Sequence, residues 1–276
     1  MATEVKVLCD SISPAGKRIT TFVLKYPRYI HAEVMTHRCL SKSSSGSRAI
    51  PMSRTIKEII KDPVVPIHFG KNKPGMSADT ELSGWKRKLA KLLWLGARWP
   101  AIGFALAMKA IGLHKQIGNR ILESWIYIHV ILTGTEFDNF YALRCDKEHA
   151  HPDIYLLAEM MLKAQNESIP QLTMQHLPYI LYEEAKSYDM DTLIKMSAAR
   201  CCRVSYANHD NTKPNVSKDI ALCQTLLNNK HQSPFEHQAF ASTNKNEISG
   251  NFVGWIQYRK TIPNEVINNF PRLLKK

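Results

Sequence analysis

A twelve-residue run, His37-Arg-Cys-Leu-Ser-Lys-Ser-Ser-Ser-Gly-Ser-Arg48, places two arginines, a histidine, a lysine and five serines where almost nothing can be buried. Such a run reads as a loop held by ordered elements on its N-terminal side. Its hydroxyls, amides and fixed positive charge are the donors that a phosphate or another oxyanion needs from a binding loop. The plain alternative is a solvated, serine-rich surface loop. Ahead of the run, Ile19–Lys25 reads as a strand, and Pro27 opens an apolar-periodic segment (Tyr29, Ile30, Ala32, Val34, Met35) that delivers His37 and Arg38 at its end.

The remaining elements follow from periodicity and punctuation. Glu4–Cys9 alternates polar and apolar, and residues 11–16 turn it into the strand at Ile19, which predicts a hairpin. Residues 53–61 read as a short helix capped by Ser53 and closed by Pro63. Residues 68–76 read as a loop whose Gly-Lys-Asn-Lys-Pro-Gly lacks the spacing of a P-loop. Residues 79–125 form a mostly helical segment, and the breaks at Pro100 and Gly112 predict three helices, at 79–97, 100–111 and 114–125. An amphipathic helix presents Ile154, Leu157, Ala158, Met161 and Leu162, and Val216–Asn229 reads as a serine-capped helix with Ile220, Cys223 and Leu227 inward. The fold expected is α+β: a mainly antiparallel sheet, built from the N-terminal hairpin and the Phe240 region, packed against several long helices. The chain is expected to be a single catalytic domain over residues 1–276.

No signal peptide is expected from the start of the sequence, and the most apolar region, 89–113, is interrupted by Lys91, Arg98 and Lys109. A cytoplasmic protein with no membrane partner is the expectation. The six cysteines are scattered without metal-ligand spacing, so no metal is expected and they read as reduced thiols. Cys39, beside His37 and Arg38, could have a lowered pKa but reads as a packing residue. The net charge of +13 either marks a nucleic-acid footprint or steers anionic small molecules. Basic residues concentrate in Trp85–Lys91 and Arg272–Lys276, neither with the interleaved aromatics of a base-stacking surface, so nucleic acid is not expected and both read as solvated.

Several segments together resemble the flavin-dependent thymidylate synthases. His37, Arg38, Ser41 and Arg48 match that family's signature of Arg-His-Arg, two residues, Ser, then four residues before a Ser-x-Arg. Thr36 stands where the first arginine belongs, Ser44 where a glutamate usually lies, and Gly46 where the later serine falls, flanked by Ser45 and Ser47. Asn139 and Arg144 are similar to an Asn-x4-Arg block, Ala199–Tyr206 to an Ala-Arg-Val-Ser-Tyr segment, and Ser233-Pro-Phe-Glu-His237 to the family's Thr/Ser-Pro-Phe-Glu-His. The last is the most specific. The order is permuted, with the Phe-Glu-His block last, and Trp255–Glu265 echoes Val34–Ser44, so that Gln257 and Arg259 could supply donors that Thr36 does not.

The resemblance implies reductive methylation of dUMP to dTMP with methylenetetrahydrofolate as carbon donor, FAD as hydride carrier and NADPH as reductant, in a homotetramer with sites at subunit interfaces. It implies flavin binding by His37, Arg38, Ser41, Asn139, His237 and Arg259. It implies that Ser45, Gly46, Ser47, Arg48, Arg120, Arg144 and Gln257 hold the nucleotide, with Arg48, Arg144, Ser45 and Ser47 polarising the uracil. Arg120 reads equally as a solvent-facing arginine. Two alternatives stay open: a related flavin- and folate-dependent enzyme that methylates or hydroxymethylates another pyrimidine nucleotide, and a non-enzymatic basic nucleic-acid-binding protein.

Overall fold

A computed structural model describes residues 3–75, 77–204, 212–263 and 265. Ser205 and Tyr206 of the Ala199–Tyr206 segment, Met76 and the basic Arg272–Lys276 lie outside the described residues.

Strands β1 (Glu4–Ile12) and β2 (Arg18–Pro27) form the expected hairpin, with Gly16 at a φ of +82° in the turn. β2 does not pair next with the Phe240 region. Its other neighbour is β4 (Tyr127–Gly134), an almost wholly buried strand, and beyond β4 lies β3 (Ser41–Ser44), the middle of the polar run. With the short β5 (Gln171–Leu172) running parallel to β1, the order is β3-β4-β2-β1-β5, otherwise antiparallel. Phe240 lies in β7 (Ala239–Ala241), which pairs with β6 (Gln175–His176) and β10 (Trp255–Gln257) in a separate three-stranded sheet. A small hairpin, β8 (Ile248–Ser249) and β9 (Phe252–Val253), leads into β10.

Side chains alternate across a strand with a period of two, so the large sheet has two distinct faces. Phe22, Leu24 and Tyr26 of β2 and Ile128, Val130 and Leu132 of β4 point one way. There they meet Ile154, Leu157, Ala158 and Met161 of α6 (Pro152–Glu167) and Phe140 of α5 (Asp138–Arg144), beside α1 (His31–Met35). Val23 and Ile131 point the other way, toward Tyr179 and toward Cys201 of α8 (Met190–Arg203).

The helical segment is not three helices. α3 runs unbroken over Gly84–Ala110 with Pro100 inside it. The packing stripe Trp94, Ala101, Ile102 and Ala105 continues through the proline onto Met52, Ile56 and Ile59 of α2 (Met52–Lys61), and that burial outweighs the hydrogen bond the proline removes. α2 starts after Pro51 with no side-chain cap, so Ser53 does not cap it. Gly112, at a φ of +83°, does end α3, as a left-handed position after a helix favours. The short α4 (Lys115–Gly118) and a 3-10 turn over Arg120–Trp125 follow and seat Leu122 and Trp125 in the same cluster.

Behind the large sheet, α7 (Tyr182–Ser187), α8 and α9 (Val216–Asn228) enclose a fully buried arginine. Asn215, not a serine, caps α9. Arg200 donates to both Glu184 carboxylate oxygens at 2.7 Å, to Asp219 at 3.1 Å and to the Tyr179 carbonyl at 2.8 Å, while Arg203 reaches Asp219 at 2.7 Å. Removing one partner of a buried charge leaves the other without compensation, which typically costs about 3–5 kcal/mol. Asp219→Ala should therefore lower the urea-unfolding free energy by about that much, and a loss within roughly 0.5 kcal/mol of zero, the range of ordinary surface changes, would contradict this assignment.

Candidate functional site

The pairing of β3 with β4 sets which residues share a face. Ser41 stands opposite Thr133, which stands opposite Thr21 on β2, and Ser43 stands opposite Ile131. Ser41, Ser43, Thr133 and Thr21 thus project together from the α8 side of the sheet. Lys42, opposite Leu132, projects from the α6 side.

On the α8 side, hydroxyls and imidazoles form one hydrogen-bonded chain. Ser43 Oγ lies 2.9 Å from His237 Nε2, and His237 Nδ1 lies 2.9 Å from Thr133 Oγ1. Thr133 Oγ1 is 2.7 Å from Thr21 Oγ1, which is 2.7 Å from His176 Nε2, and His176 Nδ1 ends the chain 2.9 Å from Ser11 Oγ. Both histidines are completely buried. Burial pushes the His237 ring down to about 3, and burial with the opposing carboxylate of Asp10 and the nearby His237 puts His176 at about 3 as well. Both rings are neutral at ordinary pH, each with one N–H to give and one nitrogen to accept. With both nitrogens engaged, His237 serves anything beyond the strand by orienting the Ser43 hydroxyl.

The C-terminal element closes over the same strand. Gln257 Nε2 donates to Ser41 Oγ at 3.0 Å and to the Glu236 carbonyl at 3.2 Å, and Asn251 Nδ2 donates to Ser41 Oγ at 3.2 Å. Gly250, at a φ of +60°, permits this, because a Cβ there would collide with Gln257 Oε1. Arg259 pairs with Glu236 and, at 3.0 Å, with Glu265. The Ser-Pro-Phe-Glu-His block is therefore tied both to β3 and to the Gly250–Lys260 segment.

On the α6 side a second group forms. Arg144 Nε donates to His37 Nε2 at 2.9 Å, which puts the proton of the neutral ring on Nδ1, and the guanidinium also reaches Thr36 Oγ1 at 3.5 Å and the Glu33 carboxylate at 3.6 Å. His37 stands edge-on to Phe140, with centroids 4.9 Å apart. Burial, then Arg144, then Lys42 lower His37 to about 4. Lys42 Nζ donates to the His37 carbonyl and, at 3.4 Å, to that of Val34; burial brings it down to about 8 against the pull of Cys39 and Glu236. Cys39 is half-buried against the core.

The end of the polar run is clamped from the helical segment. Ser45 N donates to the His129 carbonyl at 2.9 Å, extending the β3–β4 pairing. Ser47 Oγ and Arg120 both donate to Glu123 Oε1, at 2.8 and 2.9 Å, and Asn119 Nδ2 donates to the carbonyls of Ser47 and Ile50 at 2.8 and 2.9 Å. Lys115 Nζ holds the Ala49 carbonyl at 2.9 Å. Gly46 is exposed, with open space where a Cβ would stand.

The residues singled out in the sequence therefore fall into three groups strung along β3: His37 with Arg144, Ser41 and Ser43 with His237 and Gln257, and Ser45–Arg48 with Arg120. Arg38 and Arg48, at the two ends, are exposed and form no hydrogen bond or ion pair with a described residue. No such bond joins Arg48 to Arg144, and Asn139 is exposed on α5. Glu33, Thr21, Thr133, His176 and Glu123 complete these groups without having been singled out. His176 sits in no motif, and only the folded chain reveals it.

No protein-family model matches the chain, and no curated protein matches it. Among solved structures, the UMP/dUMP methylase PolB from Streptomyces cacaoi, bound with 5-Br UMP, overlaps 59% of this chain and 92% of its own, at 14% identity and a TM-score of 0.43. The same enzyme bound with 5-Br dUMP overlaps 59% and 93%, at 14% identity and a TM-score of 0.45. Overlap of this extent does not establish a common fold.

The buried histidines make stability depend on pH with a definite sign. Their folded pKa values, about 3, lie below the value of about 6.5 in an unfolded chain. The folded state is thus favoured in full above pH 6.5 or so and loses stability as pH falls from there toward 3, by up to about 1.4 kcal/mol per pH unit for each ring. Urea unfolding between pH 7 and 5 should show this slope, and His176→Gln should make it shallower. An unchanged slope in His176→Gln, or a ring at either position titrating near its unfolded value by NMR, would contradict the assignment.

Proposed function

We propose that the chain is a flavin-dependent enzyme that methylates C5 of a pyrimidine nucleotide, converting dUMP to dTMP with methylenetetrahydrofolate, NADPH and bound FAD. The observation that supports this most is convergence. The Ser233–His237 block and the Gly250–Lys260 element lie about two hundred residues from the His37–Ser41 segment, yet both bond to the four-residue strand that continues it, through Ser43 and Ser41. A solvated serine-rich loop has no use for a strand whose hydroxyls are oriented by a buried imidazole and two carboxamides.

The donor set suits a flavin nucleotide. Two exposed arginines without ion-pair partners among the described residues flank a strand of oriented, buried hydroxyls, which provides cationic donors for phosphates beside neutral donors. When bound, FAD would carry hydride from NADPH, and methylenetetrahydrofolate would supply the one-carbon unit. The residues of the chain bind and orient. Arg38 holds the flavin side and Arg48 the nucleotide phosphate, with the net charge of +13 drawing both anions in. Ser43, held by His237, and Ser41, held by Gln257 and Asn251, present hydroxyls of fixed direction. Arg144 fixes the His37 ring and the end of α1. His237 acts through Ser43, and Arg259 acts by holding Glu236. Assembly as a homotetramer, with sites completed at subunit interfaces, belongs to the same reading.

Arg48→Ala should weaken dUMP binding roughly tenfold or more, the loss of one charge-assisted contact of about 1.5–3 kcal/mol, while leaving FAD affinity nearly unchanged. Arg38→Ala should lose FAD first. Titration calorimetry with each ligand checks both, and equal weakening of both ligands by both substitutions would contradict the division. Cys39→Ala should keep substantial turnover of dUMP, because the uracil is activated by polarisation and not by a thiolate; complete loss with flavin binding intact would argue for a cysteine nucleophile.

A further inference from the structure

The turn after β3 meets an ionic group whose donors outnumber its acceptors. Arg28, the residue after β2, is fixed through its own backbone N–H, which donates to the Ile126 carbonyl at 3.0 Å. Its guanidinium is 17% exposed, yet it makes no hydrogen bond to a described residue and reaches only Glu123 Oε1, at 3.6 Å. The same oxygen already accepts from Arg120 at 2.9 Å and from Ser47 Oγ at 2.8 Å. Glu123 Oε2 accepts from no described residue. Three side chains, from the end of β2, the turn after β3 and the 3-10 turn, thus converge on one oxygen atom.

A carboxylate that serves to clamp an arginine pairs with it through two parallel N–H···O bonds. Glu184 and Arg200 pair in this way behind the large sheet. At Glu123 no such fork forms, and the Arg28 separation exceeds the usual hydrogen-bond length of about 2.7–3.2 Å. A mostly buried guanidinium with so little compensation is costly. The group is short of acceptor oxygens. A phosphate monoester brings three terminal oxygens and roughly −1.5 to −2 charges at neutral pH, enough to give Arg28, Arg120 and Ser47 an acceptor each. The Glu123 side chain is 25% exposed and that of Arg120 49%, so the group opens to solvent. Arg48, exposed and unpaired among the described residues, follows Ser47 directly.

We propose that Arg28, Arg120 and Ser47 form an oxyanion subsite in which the Glu123 carboxylate stands in for a phosphate dianion, and that the phosphate of the nucleotide binds by displacing it. This subsite extends the reading of Arg48 as a nucleotide-phosphate contact and rests on it. Arg28 becomes a residue that selects the charged nucleotide over the uncharged nucleoside. Glu123 sets the threshold, because a ligand displaces it only with more charge and more acceptor oxygens than one carboxylate offers. Deoxyuridine has neither, and each phosphorus of the FAD diphosphate carries a single charge, so the monoester fits best.

Titration calorimetry of the full chain with dUMP, deoxyuridine, inorganic phosphate and FAD tests this on the unsubstituted chain, Glu123→Gln and Arg28→Gln. Glu123→Gln keeps an acceptor oxygen for Ser47 and Arg120 and removes the competing charge, so dUMP and inorganic phosphate should bind roughly threefold tighter or more. Arg28→Gln should weaken both by about tenfold or more, with deoxyuridine and FAD unchanged. Arg120→Gln, at an exposed side chain, should weaken the same two ligands with an unchanged circular dichroism spectrum, which guards against a fold defect in Arg28→Gln. Weaker or unchanged dUMP binding in Glu123→Gln would make Glu123 a clamp and overturn the proposal. So would FAD weakened in place of dUMP, or an unsubstituted chain that binds neither dUMP nor inorganic phosphate. Inorganic phosphate that follows the expected pattern while dUMP does not bind would keep the subsite and refute the nucleotide reading. Binding of dUMP that is indifferent to all three substitutions would refute the subsite and keep that reading.

Discussion

The antiparallel register between β3 and β4 is the constraint on which the rest of the candidate site depends. β4 is buried along nearly its whole length, so its own alternation is fixed by two cores, one against α6 and one against α8. β3 inherits that alternation. Shifting its pairing by one residue would carry Ser41 and Ser43 into the α6 core and send the Lys42 ammonium toward His237. Such a shift would bury a charge without a partner and leave imidazole nitrogens unbonded, each loss costing about 1–3 kcal/mol or more. Register, hydroxyl placement and imidazole orientation are therefore one property.

The same argument explains why the polar chain can be buried at all. Ser11, His176, Thr21, Thr133, His237 and Ser43 would each be costly in a dry interior, but every member has a partner within 2.7–2.9 Å. The chain links β1, β6, β2, β4, the 3-10 turn before His237, and β3, so the small sheet and the large sheet are joined by hydrogen bonds as well as by packing. On the other face, Arg144 and Lys42 hold the end of α1 against the start of β3. The strand is gripped from both faces while its two flanking arginines stay exposed.

Much of this was legible in the sequence where local patterns carry the information. The β1–β2 hairpin, the buried stripe of α6 and the helix at Val216 all follow from periodicity and turn chemistry. Serine has little strand preference, so Ser41–Ser44 read as loop; only pairing with β4 makes it a strand. β4 itself is a nearly continuous apolar run, which periodicity cannot assign. Pro100 suggested a break that packing across α2 overrides. Phe240 was placed in the wrong sheet because strand partners distant in sequence leave no local trace. The motif blocks pointed to residues that meet at β3, but the role of His176, and the burial of His237 behind Ser43, exist only in the folded chain.

The central claim is that the strand Ser41–Ser44 and the elements closing over it form a flavin and nucleotide site. The visible absorption spectrum of the purified chain, incubated with FAD and freed of unbound ligand, tests it most directly. The account predicts the bands of an oxidised flavin retained with the protein and bleached when NADPH is added without oxygen. A chain that remains colourless after exposure to FAD would contradict it.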